Sequence, residues 1–309
     1  MLFKEIISFG IGILIIQLYF IVAKRFGIID KPSDRSSHVV PTLRGGGILF
    51  PLMYMLVGIT GVYFGYQDIS FWFVLGIFLI ATISFWDDVA TLSPKIRVIV
   101  HLLSVAILIW QTGIYEYGFL IVLLSIILII GSINAYNFMD GINGITALYS
   151  LVVVGSLTYL LPEMRLQYLL VAIIVFAIYN VRKKAVCFSG DVGSVSLAYI
   201  IAFCISKLMV NTQEIKWIFL LGIYGIDSIV TILYRLKRKE NIFKPHRTHL
   251  YQYLANEKGM SHVSVSLIYS VAQALLSCVV ITGNFANALI AFGIALVIYL
   301  AVRLKLGLD

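Results

Sequence analysis

Eleven apolar runs constrain this chain more than any other feature. They fall at about 5–23, 48–66, 70–86, 98–113, 119–137, 143–161, 166–181, 194–210, 215–235, 264–282 and 284–302. Most approach the roughly 20 residues that a membrane-spanning helix needs, and they lack the short polar–apolar alternation of a barrel strand. In hydrocarbon every backbone polar group must be satisfied within the structure, so helices are the expected solution. Composition agrees: 61% of the 309 residues are hydrophobic and only 12% charged. A soluble domain carries roughly twice that charged fraction. The expected fold is a single all-α polytopic membrane domain over 1–309.

The first run, Ile6 to Ala23, reads as an anchored span and not a cleaved leader. Its start carries one Lys and one Glu, no small-residue cleavage pattern follows, and Lys24-Arg25 closes it. Cys187, Cys204 and Cys278 are isolated and read as packing residues, with no disulfide framework or zinc spacing.

Eleven spans put the termini on opposite sides, and basic residues set the orientation. Nineteen Lys and Arg fall on the face that receives 24–47, 87–97, 134–146, 182–193 and 236–263, against four (Lys4, Arg165, Lys207, Lys216) on or towards the other. The basic face is therefore expected in the cytoplasm, with the N-terminus outside and the C-terminus inside. The formal charge of +8 is mostly this bias, so no nucleic-acid surface need be invoked. Every polar cluster lies on that same face, and the opposite connections are short and bland. A transporter more often places polar residues at the midplane. Chemistry on one face points to an enzyme acting on one cytoplasmic and one membrane substrate.

Five clusters carry that chemistry. Asn134-Ala-Tyr-Asn137-Phe-Met-Asp140-Gly-Ile-Asn143-Gly-Ile-Thr146 interrupts two spans with amides and a carboxylate, and polar groups at such depth usually mark a site. Asp87-Asp88 ends the third span. Adjacent carboxylates need a cation or a shared proton, although a solvated helix end with Lys95 and Arg97 as partners is the plainer account. Gly190-Asp191-Val-Gly193-Ser194 opens the eighth span, where free N–H groups can take an anion and Asp191 a metal; an ordinary helix cap explains it equally well. Asn180 faces the same loop, or is simply an exposed capping amide.

In the first loop, Arg35, His38 and Arg44 can donate to phosphates, and Gly45-Gly46-Gly47 lets backbone approach closely. A positive-inside anchor and a turn would explain all but His38. In the longest loop His246, Arg247 and His249 suggest diphosphate contacts, behind a basic run suited to anionic headgroups of membrane lipids. Asp227, inside the ninth span, reads as a structural partner for a neighbouring helix, and His101 and His262 as packing or surface residues. Oxygen ligands and Arg/His donors on one face suit Mg²⁺, which borrows further ligands from phosphates. The residues alone thus point to metal-assisted phosphoryl transfer at a membrane surface.

These motifs resemble the polyprenyl-phosphate N-acetylhexosamine-1-phosphate transferase family. The matching stretches run in order from Asp30 to Tyr253: the DxPxxR…H…PTxRGGG loop, the Asp pair, NxxNxxDGxxG, YN…FxGDxGS and HRxHL. The resemblance implies a bundle of ten or eleven helices with these loops in the cytoplasm of a bacterial inner membrane. It implies attack by undecaprenyl phosphate on the β-phosphorus of a UDP-N-acetylhexosamine, with UMP leaving. Asp191 would ligate Mg²⁺ (or Mn²⁺ in its place) with Asn137 second, and Asp87 and Asp88 would position or deprotonate the lipid phosphate. Asp140 would stand beside the metal, Asn143 and Asn180 would contact nucleotide, and His246, Arg247 and His249 the diphosphate and sugar.

Two departures matter. Asn143 replaces an Asp found in many bacterial members, and Tyr251-Gln252 replaces the later His pair of an HxHH form. The second points away from muramoyl-pentapeptide transfer and towards the O-antigen initiating branch. Donors carrying N-acetylfucosamine or N-acetylquinovosamine stay open beside N-acetylglucosamine. Homodimers are common in the family, but no interface is legible here. The different-class alternative is a flippase for lipid-linked sugars, which would release no UMP.

Overall fold

In the computed structural model, residues 2–32, 37–63, 71–90, 92–161, 163–242 and 246–308 are described. Each apolar run overlaps an α-helix: α1 Leu2–Phe26, α2 Leu49–Tyr63, α3 Phe71–Val89, α4 Pro94–Thr112, α5 Phe119–Met139, α6 Ile145–Leu160, α7 Met164–Asn180, α8 Gly190–Thr212, α9 Gly222–Lys237, α11 His262–Thr282 and α12 Phe285–Lys305. A short α10, Leu250–Asn256, lies between α9 and α11. Among the described residues, eight helical stretches are long and apolar enough to cross a membrane, and three further apolar helices are shorter. The protein is an all-α polytopic membrane protein. Its only sheet among the described residues is a two-stranded antiparallel pair, β1 Ile29–Asp30 with β2 Thr42–Leu43.

The bundle is built around α8. Of its most apolar window 89% is buried, against 17% for α5 and 11% for α12, so α8 is the axis and those two are outer helices. Small residues permit this. Without a hydrophobic drive between helices in lipid, close approach at Gly, Ala and Ser supplies the packing. Gly76 of α3 shows the tolerance: a Cβ there would collide with the Tyr199 hydroxyl of α8, which donates to Ser104 O of α4 at 2.8 Å. Leu14, Leu18 and Ile21 on α1 and Ile290, Ile294 and Val297 on α12 point outward.

Two boundaries differ from the sequence reading. Helix α4 begins four residues earlier than the apolar run, because Ser93 caps it and Pro94 opens its first turn; Lys95 and Arg97 hid that turn from a hydropathy count. The run 215–235 is not one helix. It enters as a 3₁₀ segment, Ile215–Leu221, and becomes α-helical only at Gly222. The change of pitch brings backbone groups at membrane depth within reach of Gln273 of α11. Its Nε2 donates to Phe219 O at 3.2 Å, and its Oε1 accepts from Ile223 N at 3.1 Å and from the Tyr149 hydroxyl at 2.7 Å.

Candidate active site

The α1–α2 connection lies directly on the loop that leads into α8. Phe188 N donates to Leu43 O, Gly46 N to Phe188 O and Gly47 N to Ser189 O, at 2.8, 2.8 and 2.9 Å. Backbones this close exclude side chains: a Cβ on Gly47 would stand 2.4 Å from Gly193 Cα. The glycine run thus serves contact between two loops, where the sequence suggested an approach to phosphate. Arg44, just before it, is aimed back across the same junction.

Acids and arginines there form one alternating chain: Asp87, Arg97, Asp191, Arg44, Asp88. Arg97 Nη1 meets Asp87 Oδ2 at 2.7 Å and its Nη2 reaches Asp191 Oδ2 at 3.5 Å. Arg44 Nη2 donates to Asp191 Oδ1 at 2.9 Å, and its Nε to Asp88 Oδ1 at 2.6 Å. Burial works against the Arg44 charge, but Asp88 and then Asp191 hold its pKa above the ordinary value. Asp88 also accepts the first free amides of α8, from Asp191 N and Val192 N, both at 2.9 Å. The helix N-terminus does take an anion, as its dipole favours, and in this structure that anion is Asp88. Asp87 is anchored differently, its Oδ1 accepting Leu92 N at 2.9 Å.

The break between α5 and α6 forms the facing wall. Asn137 Oδ1 accepts the Ser194 hydroxyl of α8 at 2.8 Å, and Asp140 Oδ1 accepts the Thr146 hydroxyl. Burial pushes the Asp140 carboxyl up to about 7; Thr146 opposes the shift and the nearby Asp191 charge adds to it. Asn143 and Asn180 are both buried and tie loops together. Asn143 Nδ2 donates to Arg182 O at 2.9 Å, while Asn180 accepts Gly144 N at 2.8 Å and donates to Cys187 O at 2.9 Å. Asn180 is therefore not the exposed capping amide that the sequence left open.

These walls enclose a cavity of about 280 Å³, near the ends of α1, α5 and α7 and the beginnings of α2, α8 and α11. His38, Arg44, Asn137, Asp140, Asn143, Asn180 and Asp191 line it. Asp87, Asp88, His246, Arg247 and His249 do not form its lining, and Arg35 lies outside the described residues. His249 is turned away: its Nδ1 pairs at 3.0 Å with Asp227, a fully buried carboxylate. His246 stacks on His249 with ring centres 5.0 Å apart, and burial together with that neighbour lowers its pKa to about 4. Arg247 is half-exposed and 3.6 Å from Glu257.

Three further residues belong here; the sequence reads Arg97 as a partner of the Asp pair, Gln252 only as a departure and His262 only as a packing or surface residue. Gln252 and His262 line the cavity, and Arg97 completes the charge chain. The departure at Gln252 was the available signal for the first. Nothing local marked His262, whose Nδ1 accepts Asn143 N at 3.3 Å from 119 residues away. Among the described residues no three His, Cys, Asp or Glu side chains form a ready metal cage. Among the acids and amides that line the cavity, Asp140, Asp191 and Asn137 are the set that the sequence marked for a metal. Such an all-oxygen half-site fits a hard cation that takes its remaining ligands from phosphate and water.

Fold and cavity together define a polytopic membrane protein with one oxygen-rich, arginine-edged chamber at one end of its bundle. Residues 70–209, which carry Asp87, Asp88 and the motifs around Asn137, Asn180 and Asp191, match glycosyl transferase family 4. The chain is similar to a probable undecaprenyl-phosphate N-acetylglucosaminyl 1-phosphate transferase of Bacillus subtilis, with 26% identity over 86% of this chain and 81% of that protein. It is 23% identical to the undecaprenyl-phosphate alpha-N-acetylglucosaminyl 1-phosphate transferase of Escherichia coli K12, over 86% of this chain and 79% of the other. A phospho-N-acetylmuramoyl-pentapeptide-transferase of Thermotoga petrophila matches at 27% over 78% and 83%. These matches support a likeness to the polyprenyl-phosphate N-acetylhexosamine-1-phosphate transferases within glycosyl transferase family 4.

Proposed function

We propose that this protein transfers an N-acetylhexosamine 1-phosphate from a UDP-sugar to undecaprenyl phosphate. An oxygen of the lipid phosphate forms a bond to the β-phosphorus, the bond from that phosphorus to the α–β bridging oxygen breaks, and UMP departs with the electron pair. The observation that carries the reading is the single cavity in which Asp140, Asp191, Asn137 and Arg44 meet. Relatives named for this transfer support it across most of their length.

In this reading Asp191 and Asn137 would hold Mg²⁺, with Asp140 beside them. The cation would neutralise charge on the diphosphate and polarise the attacked phosphorus. Arg44 donates to phosphate oxygens from a position held by Asp88. Asp88 orients: its carboxylate is committed to Arg44 and to the α8 amides, so it sets where Asp191 stands. Asp87 holds Arg97 at one end of the charge chain, and in this reading the lipid phosphate comes to that end. Asn143 and Asn180 keep the nucleotide wall in shape. His246 and Arg247 would serve diphosphate and sugar from beside the cavity, with His249 holding their loop on Asp227; Arg35 keeps the phosphate-donating role that its motif suggests. The excess of Lys and Arg in these loops supports a chamber that faces the cytoplasm from a bacterial inner membrane.

The Tyr251-Gln252 departure favours the O-antigen initiating branch or another envelope polysaccharide. The test is UMP release by the purified protein with undecaprenyl phosphate, Mg²⁺ and a panel of UDP-N-acetyl sugars. Release with at least one donor is expected. Lipid movement without UMP from any donor would replace this reading with a flippase.

A further inference from the structure

Arg44 and Arg97 both hold Asp191, and they are not held equally. Arg44 is fixed at every level. Its Nε is 2.6 Å from Asp88, itself tied to two amides of α8, and its backbone donates to Ile28 O and accepts the Tyr19 hydroxyl. Removing Arg44 from Asp191 would disturb the α1, α3 and α8 elements together. Arg97 has one strong anchor, Asp87 at 2.7 Å, and reaches Asp191 only at 3.5 Å. That anchor is itself pinned by Leu92 N and lies outside the cavity lining, so Arg97 can leave Asp191 without losing its place.

Asp191 Oδ1 is taken by Arg44, which leaves Oδ2 as the oxygen a cation needs, and Arg97 stands on it. We infer that Arg97 is a displaceable counter-cation. It occupies the cation's position at Asp191 Oδ2 in the free protein and swings about its Asp87 anchor onto a phosphate oxygen when the divalent cation binds. An unpaired carboxylate beside the Asp140 acid would be costly, so a resident guanidinium stabilises the empty chamber. A guanidinium also suits the second position, since its planar fork pairs with phosphate as readily as with carboxylate. The inference rests on the assignment of Asp191 as a metal ligand.

The test is Mn²⁺ binding to the full-length protein in detergent, followed by the EPR signal of free Mn²⁺ without nucleotide and then with UDP. Removing a positive charge next to the ligand oxygen strengthens cation binding. Arg97→Gln is expected to tighten Mn²⁺ about tenfold, and Arg97→Lys, which keeps the charge, to stay within about twofold of wild type. A merely structural Arg97 would weaken binding in both. Arg97→Met substitutes if the glutamine variant loses its cooperative melt. UDP should tighten Mn²⁺ in wild type by a larger factor than in Arg97→Gln, because only wild type has an arginine to hand over.

Asp191→Asn losing saturable binding while Arg97→Gln fails to tighten it overturns this inference alone. Unchanged Mn²⁺ binding in Asp191→Asn overturns the metal assignment beneath it. An equal UDP factor in both proteins overturns the transfer of Arg97 to phosphate.

Discussion

Asp88 and Asp87 are neighbours in sequence with different work. Asp88 commits its oxygens to one guanidinium and two helix amides, whereas Asp87 keeps one arginine at the edge of the chamber. The pair was legible as a pair; the division was not, because the amides that claim Asp88 lie 103 and 104 residues away. Asp88→Asn puts an amide donor against backbone donors and leaves Arg44 with one carboxylate fewer. Breaking such a buried pair costs about 3 kcal/mol or more, read as a lowered melting temperature with Asp87→Asn much milder. Asp140 offers a pH test. Its folded pKa of about 7 lies above the ordinary 3.8, so between those values the folded state holds the proton longer than the unfolded one. Stability of the metal-free protein should therefore fall as pH rises from about 4 to 7 through this group, and Asp140→Asn should flatten that slope in melts across pH.

Helix α10 shows how one buried acid can set the position of a whole motif. Asp227 accepts from His249 Nδ1, from Leu250 N and Tyr251 N, and from the hydroxyls of Tyr269, Tyr299 and Thr231. It caps α10 from α9 and ties both to α11 and α12. The sequence did suggest a structural partnership for Asp227, but its partner was taken for a helix and proves to be the histidine loop as well. Asp227→Asn should raise amide hydrogen exchange across 249–256 by tenfold or more while leaving α3 and α8 protected; uniform exchange throughout would contradict the capping role. Gln273 plays the corresponding part at the break before α9. Gln273→Leu removes the side-chain partner of Ile223 N, Phe219 O and the Tyr149 hydroxyl in an apolar setting, at a cost of about 1–3 kcal/mol. Neither the break nor its remedy was legible, since 215–235 reads as uninterrupted apolar sequence and Gln273 as an isolated polar residue.

Across the whole molecule, the all-helical architecture was legible for one reason: a bilayer forces long apolar segments into helices. Order within the bundle was not legible. That α8 forms the axis depends on small residues meeting partners far away in sequence, as Gly193 meets Gly47. The site was legible as a list of residue types and only partly as a geometry. Arg44, Asp140 and Asp191 share a cavity, whereas His249 faces Asp227, and Arg97, expected beside the Asp pair, also reaches Asp191. The central claim is that this one chamber performs phosphosugar transfer around Asp191. It is tested most directly by UMP release from purified wild type and Asp191→Asn with undecaprenyl phosphate, Mg²⁺ and UDP-N-acetylglucosamine or the donor selected from the panel. The account predicts release by wild type and a loss of at least a thousandfold in the variant, equivalent to about 4 kcal/mol of lost transition-state stabilisation, with matching melts. Turnover by a folded Asp191→Asn at the wild-type rate would contradict it.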